Sequence, residues 1–480
     1  MPRPMRWMLL LFCLIAGWAP RGHSEGQQQI KQLAHDIFKQ LIEINTTDSV
    51  GNVTTAAEAM AKRLRDGGFE AGDIQVAGPN ERKKNLVARL RGTGKRKPIL
   101  FIGHLDVVEA LRADWSTDPF EFIEKDGYFY GRGTEDMKEG DAILITNFIR
   151  LKMEGYLPDR DVILALTADE EGGSSNGVDW LLKEHRDWVD AEYCINLDGG
   201  EFEKDKDKRL LAGIQASEKV YVDFQFESLN PGGHSSVPSP DNAIYHLAGA
   251  LSRLERYSFS ARINEITRSY FERNAVLATG QVAADMKAVA QQPPDPGAVE
   301  RLSEAPYFNS LLHTTCVATM LSGGHARNAL PQTARANVNC RIFPGEDPEE
   351  VRWTLERVTS DPQVRITTVS QLAPDGKVVP VPPSPLLPEV TQAMEKVLSI
   401  TWPGVPLVAT MSTGATDGKY TRIAGIPTFG ISCMFFDIHD NREHGKDERV
   451  GVQDFYDGVD FNYRLIKELS SPSMRNTPKK

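Results

Sequence analysis

Five short clusters of histidine and acidic residues are the parts of this 480-residue chain that could do chemistry. They read GHLD at 103–106, GRGTEDMK at 131–138, DEEGG at 169–173, LDGG at 197–200 and HGKDE at 444–448. Imidazole nitrogens combined with carboxylate oxygens suit Zn²⁺, Mn²⁺ or Co²⁺, whereas Mg²⁺ and Ca²⁺ favour sites made only of oxygen. Two histidines with three carboxylates are enough for a pair of ions that share one carboxylate. The residue types therefore predict a two-metal centre, with one further carboxylate left to act as a base.

Short apolar runs precede most of these clusters and predict the elements that position them. Runs typical of buried strands lie at 85–90, 98–102, 161–166 and 192–197. Helical spacing appears at 138–153 and 178–185, so a sheet covered by helices is expected, with ligands where strands end. Each motif alone is weak, because an HxD pair or an acidic run is usually structural or solvated. Carboxylates at the ends of successive buried strands are different, since they need a compensating cation.

The pattern of elements changes near residue 212 and changes back after a proline-rich stretch at 379–388. In between, the sequence predicts strands at 220–226, 334–343 and 363–369, helices at 242–254 and 348–358, and a largely helical stretch at 258–312. This is the outline of a small α+β domain with one open sheet. We therefore predict one α/β catalytic domain, at 25–212 and 376–470, that is interrupted by a second domain at 213–375.

The two ends of the chain carry signals of their own. Arg3 and Arg6, an apolar run of 13 residues at 7–19 and small residues before position 25 are typical of a secretory signal at 1–24. The apolar run is shorter than the roughly 20 residues that a membrane-spanning helix needs, so no permanent membrane anchor is expected. Residues 471–480 are polar and predict a disordered tail. The sequence thus predicts export, to the periplasm or outside the cell.

Charge and cysteine content exclude several classes of function. The chain has 55 basic and 66 acidic side chains, a net charge of −11, which gives no electrostatic drive toward nucleic acid. Five cysteines without a CxxC motif argue against a zinc finger or a disulfide-stapled scaffold. Those at 194, 316, 340 and 433 lie in apolar, strand-like runs and are predicted to be buried thiols, although export leaves a disulfide open.

Taken together and in this order, the motifs resemble the M20 family of metallopeptidases, with a further match at GGHSS, 232–236. The resemblance covers roughly residues 30–469. It implies a zinc-peptidase-like catalytic domain with a mixed sheet flanked by helices, and an inserted ferredoxin-like lid that also forms a homodimer. It also implies a ligand set for two divalent ions, most readily Zn²⁺ with Co²⁺ or Mn²⁺ possible. In that set His104 and Asp198 bind one ion, Glu171 and His444 bind the other, and Asp136 bridges both.

The same resemblance implies roles for the residues around the ions. Glu170 would be the general base that takes a proton from water and passes it to the leaving amine. Asp106 would accept the second ring N–H of His104 and so fix its tautomer. Because neighbouring residues of an extended segment point in opposite directions, Glu170 and Glu171 need a bend after the strand. The Gly172-Gly173 pair is consistent with such a bend.

Residues of the lid and of a late loop would contact the substrate. His234 would donate to the oxyanion, often from the partner subunit, although a loop histidine that caps the following helix is the alternative. Asn328 and Arg341 match lid positions that hold a substrate carboxylate, and for Arg341 a paired side chain on the lid sheet remains open. Gly414 and Thr416 lie in a glycine-rich loop at 412–417, whose backbone N–H groups could hold the same carboxylate.

The function that this implies is an exported dinuclear hydrolase that cleaves an amide bond next to a free carboxylate. A carboxypeptidase or dipeptidase acting on small peptides is the first choice, and an aminoacylase-like hydrolase of N-acyl amino acids is the alternative. A binding protein on an inactive peptidase fold would have a broken ligand set, and here the set is complete. An aminopeptidase without a lid is disfavoured by the residues inserted after Asp198.

Overall fold

The computed structural model describes residues 21–369 and 379–471. The predicted signal at 1–24 and the predicted tail at 471–480 therefore lie almost wholly outside the described residues. The first helix, α1, spans Arg21–Ile42, so it begins before Ile30, where the apolar spacing starts, and includes the region predicted for signal cleavage. Within the described ranges, none of the helices combines the length and the apolar character needed to cross a lipid bilayer.

The first part of the chain alternates strands and helices. Its helices are α1, α2 (Val53–Asp66), α3 (Lys138–Met153), α4 (Gly177–Glu184) and α5 (Arg186–Val189). Its strands are β1 (Ile74–Ala77), β2 (Asn85–Leu90), β3 (Ile99–His104), β4 (Ile123–Lys125), β5 (Tyr128–Tyr130), β6 (Val162–Thr167), β7 (Cys194–Asn196), β8 (Phe202–Asp205) and β9 (Lys208–Glu218). Both β3 and β6 are buried along their whole length, as their continuous apolar runs predict.

The middle part contains the second domain and a group of helices. Its strands are β10 (Val220–Leu229), β11 (Gly233–His234), β12 (Thr315–Gly323), β13 (Ala329–Leu330), β14 (Thr333–Ile342) and β15 (Val364–Thr368). Its helices are α6 (Ala243–Glu255), α7 (Glu265–Leu277), α8 (Gly280–Val289), α9 (Pro296–Ser303), α10 (Pro306–Leu312) and α11 (Pro348–Thr359). The last part contains α12 (Pro388–Thr401), β16 (Leu407–Ser412), α13 (Gly418–Ile423), β17 (Thr428–Gly430), β18 (Phe435–Asp437), β19 (Arg449–Gly451) and α14 (Val452–Ser470).

A mixed sheet forms the centre of the large domain. Its strand order is β1-β2-β6-β3-β7-β17-β9-β8-β18, and β16 pairs with β9. Strand β3 runs parallel to both β6 and β7, whereas β2 is antiparallel to β6. Strands β16 and β17, which come from the last part of the chain, join strands from the first part. The predicted α/β fold class, with a mixed sheet between helices, is confirmed.

The second domain is a four-stranded antiparallel sheet with the strand order β12-β14-β10-β15. Apolar side chains of α6 and α11 pack with this sheet in a separate core that includes Phe224, Leu247, Val338 and Leu355. The chain order of strand, helix, two strands, helix and strand is that of a ferredoxin-like unit. A cross-strand disulfide joins Cys316 of β12 to Cys340 of β14, so these two cysteines are not the free thiols expected. We call this unit the lid.

The structure draws the border between the two domains differently from the predicted 213–375. Strand β9 continues to Glu218 inside the large sheet, where it pairs with β16. Apolar side chains of α7–α10, among them Phe271, Met286 and Leu311, pack in the core of the large domain. The helical stretch therefore belongs with the large domain, because its apolar faces are buried there and not against the lid sheet.

Candidate active site

Three neighbouring strands of the large sheet carry predicted ligands at or just after their last residues. His104 is the last residue of β3, Glu170 and Glu171 follow the end of β6, and Asp198 follows the end of β7. Because these strands are parallel neighbours, their carboxyl ends lie side by side. The loop between β5 and α3 brings Asp136 to this edge, and the loop between β18 and β19 brings His444.

Asp136 lies between the two predicted histidine ligands. Its Oδ1 is 3.0 Å from Nε2 of His104, and its Oδ2 is 2.9 Å from Nε2 of His444. Nε2 of His444 is also 3.0 Å from Oε1 of Glu171. A carboxylate that turns one oxygen to each side has the arrangement needed of a ligand shared by two ions.

The predicted ligand atoms also lie close enough to one another to contact the same metal ion. One ligand atom each of His104, Glu170 and Asp198 lies within 4.8 Å of the others, and the same holds for His104, Asp136 and Glu171. Nε2 of His104 and Oδ1 of Asp136 are buried, and neither has a hydrogen-bond partner with good geometry in the part of the chain that is described. Buried lone pairs that converge without a shared hydrogen fit a divalent cation.

Charge in this cluster is strongly unbalanced without a cation. Burial raises the pKa of Glu170, and the charge of Asp198 raises it further. Burial also raises the pKa of Asp198. For Asp136 burial acts in the same direction, but the adjacent imidazoles of His104 and His444 hold its pKa well below the usual range. Carboxyl groups packed together at low dielectric need positive charge, which divalent ions would supply.

Asp106 contacts His104 through its backbone and not through its carboxylate. Its main-chain carbonyl accepts from Nδ1 of His104 at 3.0 Å, whereas the carboxylate Oδ1 is 3.8 Å from that nitrogen. The carboxylate accepts instead from the amides of Glu170, at 3.2 Å, and Glu171, at 3.0 Å. Burial raises the pKa of Asp106 to about 6. Asp106 therefore orients His104 and, separately, holds the turn that carries Glu170 and Glu171.

The bend that separates Glu170 from Glu171 begins one residue before them. Asp169 has φ 59°, in the left-handed region, and Gly173 has φ 96°, so the bend involves more than the glycine pair. The Asp169 carboxylate is ion-paired with the buried Lys83, which also lies 2.8 Å from Asp48. Lys83 is not among the residues predicted from the sequence. The signal for Asp169 was present, as the first acid of DEEGG.

Glu448 holds the loop that carries Asp136. It is fully buried, and its Oε1 accepts from the amides of Glu135, at 2.6 Å, and Asp136, at 3.3 Å. Its Oε2 accepts from the amide of Gly133 at 3.2 Å and is ion-paired with Arg132. The last acid of HGKDE thus connects the His444 loop to the Asp136 loop. Glu443, directly before His444, also brings a ligand atom within 4.8 Å of Asp136 and His444, and it was not predicted.

The glycine-rich loop at 412–417 lies at the same edge of the sheet, after β16. The amide of Gly414 donates to Oγ of Ser412 at 3.0 Å. Thr416 is buried, and its hydroxyl and amide donate to Oε2 of Glu218, at 2.9 and 3.2 Å. The predicted contact of Thr416 with a substrate would therefore not use these two donors, because Glu218 already occupies them.

The end of this loop is tied to the strands that carry the ligands. The Asp417 carboxylate accepts from the hydroxyl of Thr167 at 3.0 Å and from Nδ2 of Asn176 at 2.6 Å. Asn196 donates from Nδ2 to the Thr416 hydroxyl at 3.2 Å and to the carbonyl of Asp198 at 3.0 Å. No role was predicted for Asn196 or Asp417, because neither side chain is distinctive without the fold that brings them together.

The predicted lid residues do not join this cluster. His234 and Asn328 lie together, because β11 pairs with β13 and the amide of Ser235 donates to the carbonyl of Asn328 at 3.0 Å. Both side chains are exposed, and Nδ1 of His234 is 2.7 Å from Oγ of Ser236. Helix α6 is capped by the side chain of Asn242, so His234 is not its cap.

Arg341 lies on β14, on the face of the lid sheet away from its helices. Its guanidinium is 4.7 Å from the ring centroid of Tyr221, and its Nε donates to Oδ1 of Asn339 at 3.3 Å. Within the described ranges, no hydrogen bond or ion pair joins Arg341, His234 or Asn328 to the predicted metal ligands. The structure thus brings together the metal-binding half of the predicted site and leaves the lid half apart.

The chain is similar in sequence to curated relatives and in fold to solved structures. The chain is 29% identical over 390 residues to a probable carboxypeptidase S-like 2 of Dictyostelium discoideum, covering 77% of this chain and 71% of the relative. It is 27% identical over 396 residues to the human N-fatty-acyl-amino acid synthase/hydrolase PM20D1, covering 78% and 74%. An M20 family metallo-carboxypeptidase from Sulfolobus solfataricus has the same fold, with a TM-score of 0.68 at 18% identity over 91% of this chain and 99% of that one.

The match to the family spans both domains. The sequence model of peptidase family M20/M25/M40 matches residues 100–468, which include every motif from GHLD to HGKDE and the inserted lid. The resemblance inferred from the motifs is confirmed. The chain is a hydrolase that belongs to peptidase family M20/M25/M40.

Proposed function

We propose that the protein is an exported, dinuclear hydrolase that cleaves the amide bond next to a free carboxylate, as a carboxypeptidase or dipeptidase. The observation that carries this proposal is the position of Asp136, with one oxygen toward His104 and the other toward His444. His104 and Asp198 would hold one ion, Glu171 and His444 the other. Zn²⁺ is the expected ion, because imidazole and carboxylate donors are mixed; Co²⁺ or Mn²⁺ would also suit them.

Bound divalent ions would polarise the scissile carbonyl and lower the pKa of a water molecule. The chain's own contribution to proton transfer is Glu170, whose carboxylate has no hydrogen-bonded partner among the described residues and lies beside His104 and Asp198. Glu170 takes the proton of the attacking water and delivers it to the leaving amine nitrogen. Asp106 supports this step by holding the amides of Glu170 and Glu171, so the base is kept in place on the turn.

Recognition of the substrate carboxylate would combine the late loop with the lid. In the loop, the amide of Ala415 makes no hydrogen bond to any described residue, whereas Gly414 and Thr416 donate within the protein. A free amide beside a glycine is suited to an anionic oxygen. Arg341 offers a planar pair of donors for the same carboxylate, and Asn328 and His234 offer further donors. These lid groups must approach the metal centre by a movement of the lid or from a second subunit.

Hydrolysis of N-acyl amino acids is the second candidate. The human relative is named as a synthase and hydrolase of N-fatty-acyl amino acids, and it matches 78% of this chain. The reaction would use the same residues, because an N-acyl amino acid also has an amide next to a free carboxylate. The difference would lie in the pocket for the acyl group.

Export and dimer formation are also part of the proposal. The disulfide between Cys316 and Cys340 supports an oxidising compartment, where such bonds persist. For the dimer, the outer edge of β12 pairs with no strand in the described part of the chain, and Val317, Met320 and Leu321 are 61–72% exposed. A long apolar edge strand is a template for pairing with a second copy around a two-fold axis.

A substrate panel tests the reaction. The purified enzyme, loaded with Zn²⁺ or Co²⁺, is incubated with dipeptides, with peptides blocked at the C-terminal carboxyl and with N-acyl amino acids of increasing chain length. We expect turnover of substrates with a free carboxylate and loss of turnover when it is amidated. Preference for long acyl chains would favour the second candidate, and no turnover of either class would contradict both.

Metal analysis tests the dinuclear centre. We expect two divalent ions per chain in the wild type and one in His444→Ala, since His444 would serve only one ion. His439→Ala is the matched control, because His439 is an exposed histidine in the same loop. Two ions in His444→Ala would contradict the assignment of this ligand.

A further inference from the structure

Glu218 is a buried carboxylate that accepts hydrogen bonds from the loop at 412–417. It is the last residue of β9 and is fully buried. Its Oε2 accepts three hydrogen bonds: from the hydroxyl of Thr416 at 2.9 Å, from the amide of Thr416 at 3.2 Å and from Nε2 of Gln215 at 3.2 Å. One oxygen of Glu218 therefore fixes both the backbone and the side chain of Thr416.

A buried arginine supplies the counter-charge of Glu218. Nη1 of Arg422 is 3.1 Å from Oε1 of Glu218, and both side chains are removed from solvent. Arg422 is held in turn by Oγ of Ser384, at 3.2 Å, and by the carbonyl of Thr428, also at 3.2 Å. An ion pair this deep in the protein gives little net stability compared with apolar packing, so a positional role is the better account of it.

Lys219, directly after Glu218, begins the segment that crosses from the large domain into the lid. The amide of Lys219 donates to the carbonyl of Ser412 at 3.1 Å, at the start of the loop, and its buried ammonium group donates to the carbonyl of His313. His313 lies where the chain crosses again, between α10 and β12, and its Nδ1 contacts the carbonyl of Phe259 at 2.6 Å. Glu218 and Lys219 thus tie the loop to both crossings.

We propose that Glu218 is a positioning residue that sets the conformation of the loop at 412–417 and ties it to the crossings into the lid. The proposal rests on the proposed function only in taking this loop as the seat of the substrate carboxylate. Glu218 and Lys219 hold the loop through Thr416 and Ser412. A rotation of the lid about Lys219 would therefore shift the loop and, with it, the amide of Ala415. Loss of the Glu218 charge loosens that amide while the metal ligands remain in place.

The main test is Glu218→Gln, which keeps the shape of the side chain and removes its charge. Hydrogen–deuterium exchange of the peptide covering 412–418 is expected to accelerate about tenfold or more, because Thr416 loses its charged acceptor. With an active substrate, KM is expected to rise roughly tenfold or more with a smaller change in kcat, and metal content stays the same. Glu389→Gln is the matched control: Glu389 is ion-paired with the buried Arg160, where β6 begins. It is expected to change neither loop exchange nor KM.

Two further variants cover the case in which Glu218→Gln does not fold. Thr416→Val removes the hydroxyl that donates to Glu218 and is expected to accelerate loop exchange on a smaller scale, whereas Thr416→Ser keeps the hydroxyl and is expected to leave loop exchange at the wild-type rate. Lys219→Met removes the ammonium group that binds the His313 carbonyl and is expected to accelerate exchange of the same loop. Unchanged loop exchange in Lys219→Met would overturn the connection to the lid.

The outcomes separate this proposal from the proposed function. Faster loop exchange in Glu218→Gln supports the positioning role even if the wild type turns over no substrate, a result that would contradict the proposed function alone. Unchanged loop exchange together with an unchanged KM would overturn the positioning role while leaving the hydrolase intact. A rise in KM that is matched by Glu389→Gln would also overturn it, because the effect would then reflect general destabilisation.

Discussion

The edge of the large sheet and the lid are built on opposite principles. At the sheet edge, Asp106 and Glu448 are buried carboxylates that hold the backbone of the turns that carry predicted ligands. In the lid, His234 and Asn328 are exposed on a ribbon of two short strands. The first region is held in place by other elements of the same chain, whereas the second makes its contacts only within the lid.

This difference shows which part of the proposed site is assembled within a single chain. Among the predicted metal ligands, Asp136 lies within hydrogen-bond distance of both His104 and His444, so their positions are set by the fold of one chain. The lid groups make contacts only within the lid. We therefore expect changes at the sheet edge to act on the rate of the chemical step, and changes in the lid to depend on subunit contacts and on lid stability.

The largest effect is expected from removing the base at the sheet edge. Glu170→Gln should lower kcat by about 10²–10⁴-fold, because an amide cannot take the proton of the attacking water. Metal content should remain that of the wild type, since Glu170 is not one of the five predicted ligands. Kinetics and elemental analysis of the same preparation provide the measurement. Near-normal kcat would remove Glu170 as the base, and lost metal would make it a ligand.

A mixing experiment tests whether the lid acts across a dimer. His234→Ala and Glu170→Gln chains are each expected to be nearly inactive, but equal mixing should restore roughly a quarter of wild-type activity. About half of the dimers would be mixed, and each would have one site with both groups intact. Activity is measured after the subunits have been allowed to exchange. Absence of any recovery, with exchange shown by mass spectrometry, would place His234 within its own subunit.

The sequence predicts the sheet edge well because its signals are local. His104, Glu171 and Asp198 each lie in a short motif at or after a strand of the large sheet, and these parallel strands bring their ends together. The supporting interactions were harder to predict. The contact of Asp106 with Glu170 and Glu171 joins residues 64 and 65 positions apart. Nothing in their spacing indicates that the Asp106 carboxylate accepts from these backbone amides and not from the His104 ring.

The border of the lid was predicted less well for a related reason. The helical stretch at 258–312 lies between lid elements in sequence, but its apolar faces are buried in the large core. Helical spacing reports which side of a helix is apolar and not which surface covers it. The pairing of Cys316 with Cys340 has the same origin, because it depends on the register of β12 against β14.

A smaller effect, confined to the lid, is expected from its disulfide. The bond closes a loop with a sequence separation of 24, so Cys316→Ser with Cys340→Ser should destabilise the lid by about 3 kcal/mol in the chain-entropy model. Hydrogen exchange of peptides from β12 and β14 should accelerate, while metal content stays constant. Wild-type protein in reductant serves as the matched comparison. Equal exchange in lid peptides of the variant would show that the sheet alone holds β12.

The smallest effect is a pH dependence of the lid from His246. Its Nδ1 is 2.8 Å from Asp361, its Nε2 is 3.2 Å from Asp241, and Arg253 lies 3.9 Å from the same oxygen of Asp361. The hydrogen bond and charge of Asp361 raise the pKa of His246, although burial opposes them. A raised folded-state pKa stabilises below the unfolded value of about 6.5, and this stabilisation is lost as pH rises through the folded-state pKa.

Because this site is near the surface, we expect the His246 contribution to be about 1 kcal/mol or less. Urea unfolding of the lid, followed by proteolysis of its strands and helices, would measure it at pH 6 and pH 9. The fall in stability over this interval should be smaller in His246→Gln than in the wild type, because the glutamine does not titrate. His439→Gln, an exposed histidine outside the lid, is the control. An equal fall in wild type and His246→Gln would assign the pH dependence to other lid groups, and the lid would then be held by its packing and its disulfide and not by charge.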